Sequence, residues 1–146
     1  MAEVAVFQDQ QSSGVQGLVL TTSISDQPLN TEVFNDIAGC SLSANKVTLP
    51  AGNYIITVTD GGTPGSTYML NMFITDASNT VLESKRHNSP SYNGGYAQHM
   101  TVTFTIKLSV ETEIKYRAST GFSNWVRNPL SAGTECYQKL IIQKIG

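Results

Sequence analysis

Residues 47–59 read VTLPAGNYIITVT, and this stretch decides the fold. Val47-Thr48-Leu49 reads as the end of a strand. Pro50-Ala51-Gly52-Asn53 is a turn: proline fixes its own φ, and glycine and asparagine tolerate the left-handed φ of a tight corner. Tyr54 to Thr59 then alternates, with Tyr54, Ile56 and Val58 on one face and Ile55, Thr57 and Thr59 on the other. Aromatic and β-branched residues at period two make a strand, and Ile55 on the second face makes it a central one.

The same period recurs on both sides of this stretch. Glu3 to Phe7 is a short strand with Val4 and Val6 on one face and Ala5 and Phe7 on the other. Leu18 to Ile24 is β-branched and reads as a strand, and so does Cys40-Ser41-Leu42, followed by a turn at Ser43–Lys46. Leu29 to Ile37 is ambiguous: Leu29, Val33 and Ile37 would align on a helix, yet the Asn and Asp content fits an irregular edge segment better. Ser66 to Thr75 carries Tyr68, Leu70, Met72 and Ile74 on one face and Met69 and Phe73 on the other. Asp76–Asn79 turns the chain back into Thr80–Ser84. Met100 to Leu108 alternates most cleanly: Met100, Val102, Phe104, Ile106 and Leu108 face Thr101, Thr103, Thr105 and Lys107 across the strand. That is a half-buried strand of an antiparallel sheet. Glu113 to Ser119 alternates through Ile114, Tyr116 and Ala118. Glu135 to Gly146 is a last strand, apolar on both faces at Leu140–Ile142. Polar, glycine-punctuated stretches at Asp9–Gly17, Asp60–Gly65, Lys85–Gln98 and Thr120–Thr134 read as loops.

Many short strands with turns between them and no amphipathic helix define an all-β antiparallel β-sandwich of jelly-roll type. The 146 residues are enough for one domain with a proper core. The division expected is an N-terminal arm or short strand over residues 1–17 and a single jelly-roll domain over 18–146.

Hydrophobic residues make up 40% of the chain and charged residues only 14%, well under the usual quarter. Thr, Ser, Asn and Gln supply the polarity, which suits packing against other protein. A net charge of −2, with no basic patch beyond Lys85-Arg86, argues against nucleic acid. No secretion signal or membrane-length apolar run is visible, so synthesis in a cytoplasm is expected. The two cysteines, Cys40 and Cys136, show no metal-binding spacing and read as reduced thiols packed as small apolar groups.

No constellation of residues in the sequence points to catalysis. His87 and His99 are the only histidines, and neither has Cys, Asp or Glu at ligand spacing. No nucleophile elbow, phosphate-cradling loop or calcium loop is present. Glu111 and Glu113 read as solvated at a strand end. No catalytic residue, cofactor or metal is assigned, and enzyme activity is not expected.

The chain resembles the trimeric jelly rolls of the tumour-necrosis-factor and complement-globular-head type. The resemblance rests on LPAGNYIITV at Leu49–Val58, the alternating strand Met100–Leu108 with its partner Ile114–Ala118, the aromatic loop after it, and the terminal strand YQKLIIQKIG. It covers residues 29–146. The phrase LPAG-[TN]-Y-x-I recurs in phage proteins that look like this family. One departure is the approach to the last strand, which reads Ser131-Ala132-Gly133-Thr134-Glu135-Cys136-Tyr137 where the family has glycine and an aromatic. The resemblance implies a homotrimer packed about a threefold axis. Residues apolar on a second face are candidates for its interface: Tyr68, Phe73, Tyr116, Tyr137 and Ile141. Completion of the protomer core accounts for each of them equally well.

The expectation is therefore a phage virion protein, made in the host cytoplasm. It would be a trimeric capsid decoration or cement protein that binds the major capsid protein or other virion proteins, with residues 3–17 as an arm reaching a neighbour. The alternatives are a receptor-binding knob or small fibre subunit, and a carbohydrate-binding, lectin-like module. In both, Tyr92, Tyr96, Phe122 and Trp125 in the long loops would meet a host-surface glycan or protein. Loop packing is the plain reading of the same four aromatics.

Overall fold

The structure is a computed structural model that describes residues 2–64, 68–89, 98–121 and 123–146. Among them the chain forms twelve strands and no helix. In chain order these are β1 (Glu3–Gln11), β2 (Ser25–Asp26), β3 (Thr31–Asn35), β4 (Ser41–Ser43), β5 (Lys46–Leu49) and β6 (Gly52–Pro64). There follow β7 (Tyr68–Asp76), β8 (Val81–Ser89), β9 (Gln98–Leu108), β10 (Thr112–Thr120), β11 (Trp125–Val126) and β12 (Glu135–Lys144).

Two antiparallel sheets divide them. The first runs β3-β1-β12-β6, with β9 on the other edge of β6 and β11 on its last residues. The second runs β4-β5-β10-β7-β8, with β2 also on β10. The chain crosses between sheets after β1, β2, β3, β5, β6, β8, β9 and β10, so neighbours in space are distant in sequence, as a jelly roll requires. Side chains at period two fill the space between the sheets: Ala5 and Phe7, Tyr54, Ile56 and Val58, Leu70, Met72 and Ile74, Phe104, Ile114, Ala118, Leu140 and Ile142 are all fully buried.

The turns follow their residues. Ala44 and Asn45 both have positive φ (50° and 64°) between Ser43 and Lys46, the two-residue connection that matches strand twist. Asn45 Oδ1 also accepts from the amide of Leu29 at 3.0 Å, tying this hairpin to the preceding segment. In the β7–β8 turn, Asp76 Oδ1 accepts from the amides of Ser78 and Thr80, and Asn79 takes the left-handed conformation (φ 70°).

Several expectations change. Of the arm or short strand expected at residues 1–17, the strand forms and runs past Phe7 to Gln11: β1 lies inside the first sheet, paired with β12 on one side and β3 on the other, so residues 3–11 are not an arm. Leu18–Ile24 is not a strand; its backbone meets isolated partners, where Leu20 exchanges bonds with Trp125 and where the Thr21 carbonyl accepts from the Thr120 amide. Asp60–Pro64 is not a loop but the end of β6, because Gly61 and Gly62 still pair with His99 and Gln98. Gly62 permits this: a Cβ there would come within 3.0 Å of the Val126 carbonyl. β8 continues through Lys85 to Ser89, into the stretch whose composition suggests a loop. The irregular edge expected at Leu29–Ile37 contains the edge strand β3.

The thiols are both free. Cys40 is half-buried, and burial pushes its thiol up to about 11, which keeps it protonated and inert at neutral pH. Cys136 is exposed rather than packed. It lies at the irregular start of β12, where the register against β1 skips a residue between Gln8 and Gln10.

Candidate assembly face

The register of the first sheet assembles an outer face that no single strand displays. Across it run the rows Phe34–Val6–Ile141–Thr57–Thr103, Val4–Gln143–Ile55–Thr105 and Thr31–Gln8–Lys139–Thr59–Thr101. Lys139 is the one charged side chain in these rows. Phe34 is 51% exposed at the β3 edge, and Val6, Ile141 and Ile55 are half-buried. A Val/Ile/Thr surface of this kind is favourable to cover: burial of apolar area contributes about 25 cal/mol per Å², and few charges have to be desolvated.

The five interface candidates do not share this surface. Ile141 sits in its central row. Tyr137, also on β12, is half-buried and donates to the Val15 carbonyl at 2.6 Å, which holds the Val15–Gly17 segment down. Phe73 lies on the outer face of the opposite sheet, beside Arg117 and Ser84. Tyr116 is a core residue and not part of an interface: its ring is fully buried and its hydroxyl donates to Asp60. The side chain of Tyr68 lies outside the described residues, as do Tyr92, Tyr96 and Phe122. Trp125 is no loop aromatic open to a ligand. Its pairing with Pro64 and Leu20 draws it fully into the core.

Beneath the face lies a polar cluster that the loop reading of Asp60 missed. Arg127 and Asp60 form an ion pair with side chains 1% and 0% exposed. Arg127 Nη2 donates to both carboxylate oxygens, at 2.8 and 2.9 Å, and Nε donates to Oδ1 at 3.2 Å. Its Nη1 donates to the Leu18 carbonyl and to Gln27 Oε1, both at 2.8 Å. Burial, reinforced by the Asp60 charge and hydrogen bond, pushes the Tyr116 hydroxyl well above its ordinary range, so it stays a donor. The cluster thus fastens the 18–27 segment, β6, β10 and the loop after β11 to one another. With both charges sealed from solvent, it is a structural clamp rather than a reaction centre. Simple alternation foreshadows it, because one more step from Tyr54, Ile56 and Val58 puts Asp60 inside. Asp9 follows Ala5 and Phe7 inward in the same way; burial raises its carboxyl despite hydrogen bonds from Gln11 and Asn30.

At one end of the face, the gap between β11 and β12 leaves a groove of about 410 Å³, bordered by His99, Val126, Leu130, Cys136 and Tyr137. Its rim is fixed by Glu135, whose carboxylate accepts from the amides of Gly14 (3.1 Å), Leu130 (3.1 Å) and Ser131 (2.7 Å). These bonds, Gly14 and Leu130 foremost, hold the Glu135 carboxyl below its ordinary value. A depressed folded-state value means the tether is fully present above about pH 4.5 and fades as pH falls through the folded value. Amide exchange at Gly14 and Ser131 is therefore expected to speed up in acid, relative to the core. In Glu135→Gln it is expected to be fast at every pH, and this is checked by NMR-detected hydrogen exchange.

Among the described residues, no group of three His, Cys, Asp or Glu is placed to hold a metal ion, and no helix is long and apolar enough to cross a membrane.

The two-sheet winding is that of the tumour-necrosis-factor-like jelly roll, and solved structures bear this out. Eiger TNF from S. frugiperda superposes with a TM-score of 0.66 at 12% identity, covering 99% of this chain and 93% of that one. Murine APRIL superposes with a TM-score of 0.63 at 11% identity, covering 99% of this chain and 100% of that one. At such identities the likeness is one of fold. No protein-family model matches the sequence, and no curated protein sequence does either.

Proposed function

We propose that this chain is the protomer of a homotrimeric, non-enzymatic jelly-roll protein that acts through its surfaces. The observation that carries this reading is the outer face of the first sheet, with Val4, Val6, Phe34, Ile55 and Ile141 among threonines and a single lysine across three rows. The trimeric architecture implied by the sequence resemblance needs such a face.

The particular role we assign is decoration or cementing of a phage capsid, with the major capsid protein as partner. Three things support it. The LPAGNY phrase recurs in phage proteins of this type, the surface is poor in charge, and large apolar side chains protrude from its loops, with Leu130 87% and Val110 65% exposed. The knob reading loses ground because Trp125, one of its four aromatics, is part of the core. Quantitative mass spectrometry of purified particles against the major shell protein tests the assignment. Copies in the hundreds are expected. A handful in multiples of three points to a fibre or tail knob, and absence from the particle overturns the virion role.

A further inference from the structure

The outer face of the second sheet carries a groove of a different character. It measures about 600 Å³ and opens between the 22–24 segment, the end of β10, β7 and the edge strand β8. Ile24, Met69 and Phe73 give it an apolar floor, and Asn71, Ser84 and Ser119 give it polar groups. Arg86 supplies a cation on this face, and Lys85, in register with the buried Met72, borders the groove from the other side of the strand; among the described residues no carboxylate lines it. In a chain of net charge −2 this is a local reversal of sign. The nearby acid Asp26 does not cancel it, because its two oxygens are taken by Lys115 Nζ (3.0 Å) and Arg117 Nε (2.7 Å).

The arginine is oriented by its neighbours. Ser119, Asn71 and Arg86 stand side by side on β10, β7 and β8. Asn71 Nδ2 donates to Ser119 Oγ at 3.2 Å, which turns the amide oxygen toward Arg86, and Arg86 Nε donates to that oxygen at 2.8 Å. This relay fixes the plane of the guanidinium, and a fixed guanidinium matches a planar anionic group. The next row, Arg117–Phe73–Ser84, places an aromatic ring beside it. An apolar ring next to an oriented cation, with amide and hydroxyl groups around both, suits a ligand that has an apolar face, several hydroxyls and one negative charge.

We propose that this groove binds an acidic saccharide, a sugar unit carrying a carboxylate or sulfate, with Arg86 on the anion and Phe73 under the ring. The site lies on the sheet opposite the assembly face, so it does not rest on the trimer reading, and its failure leaves that reading untouched.

Isothermal titration of the intact protein with tetragalacturonate, a chondroitin sulfate tetrasaccharide and neutral maltotetraose tests this. At least one acidic oligosaccharide is expected to bind and maltotetraose is not. Arg86→Gln is expected to weaken binding about tenfold, the scale of a lost charge-assisted hydrogen bond. Phe73→Leu, which keeps apolar bulk but removes the ring face, is expected to weaken it roughly threefold or more. Lys107→Gln, a cation on the other sheet, is expected to change nothing. Both groove variants change exposed or half-buried groups conservatively, and thermal melts confirm their folding. Lack of binding to either acidic probe overturns the proposal. So does an equal loss in Lys107→Gln, which marks non-specific attraction, and so does Phe73→Leu binding like wild type, which removes the sugar ring from the site.

Discussion

Deleting residues 2–11 is expected to abolish cooperative folding, not merely to detach an arm. β1 separates β12 from β3, and its loss strips backbone partners from both. It also removes Phe7 and Ala5 from the core, where both are fully buried. Truncating a buried phenylalanine alone costs about 3–5 kcal/mol, against a total stability on the order of 5–15 kcal/mol for a domain. The exposed edge of β12 would in addition present Leu140–Ile142 to other chains, an invitation to aggregate. Urea unfolding followed by circular dichroism is the check. The full chain should show one sigmoidal transition and the truncated chain none. A truncated protein with an unchanged midpoint would make β1 a dispensable arm after all.

Arg127→Met should rank next in effect. The substitution leaves the Asp60 carboxylate sealed in the core with Tyr116 and without its cation, and leaves the Leu18 carbonyl and Gln27 without their donor. Breaking a buried pair from one side costs about 3–5 kcal/mol, whereas replacing the whole group with apolar residues of similar volume is often close to neutral. The triple variant Asp60→Leu, Arg127→Met, Tyr116→Phe should therefore recover most of the stability lost in the single variant. The two midpoints in urea decide the matter. A single-variant loss of less than about 1 kcal/mol would mean the pair is far less sealed than its geometry indicates.

Reading strands from alternation succeeded wherever one face is core. Tyr54–Val58, Met100–Leu108 and Ile114–Ala118 point inward as their period dictates, with Val102 only partly covered. The turns at Ala44-Asn45 and Asp76–Asn79 were legible for the same local reason, since their residues tolerate the required φ. Local reading failed where partners are remote. Leu18–Ile24 has strand composition, yet the backbone partners it meets are isolated, Trp125 at Leu20 and Thr120 at Thr21, with no continuous ladder. The glycines at 61 and 62 suggested a loop, and only the pairing with β9 shows that they extend β6. Trp125 sits in a polar stretch and gave no local sign that Pro64 and Leu20 would carry it inside. The assembly face was half legible. Ile141 stood out because its strand is apolar on both faces, but its neighbours Val6, Phe34 and Thr57 are brought to it by register, which no short window contains.

The mass in solution tests the central claim most directly. Sedimentation equilibrium at micromolar concentration should give a species of about three times the 15.8 kDa chain. Ile141→Lys, which plants a charge in the middle row of the assembly face, should give a folded protein of single-chain mass with an unchanged circular dichroism spectrum. A wild-type protein that is folded, soluble and 15.8 kDa under the same conditions would contradict the account.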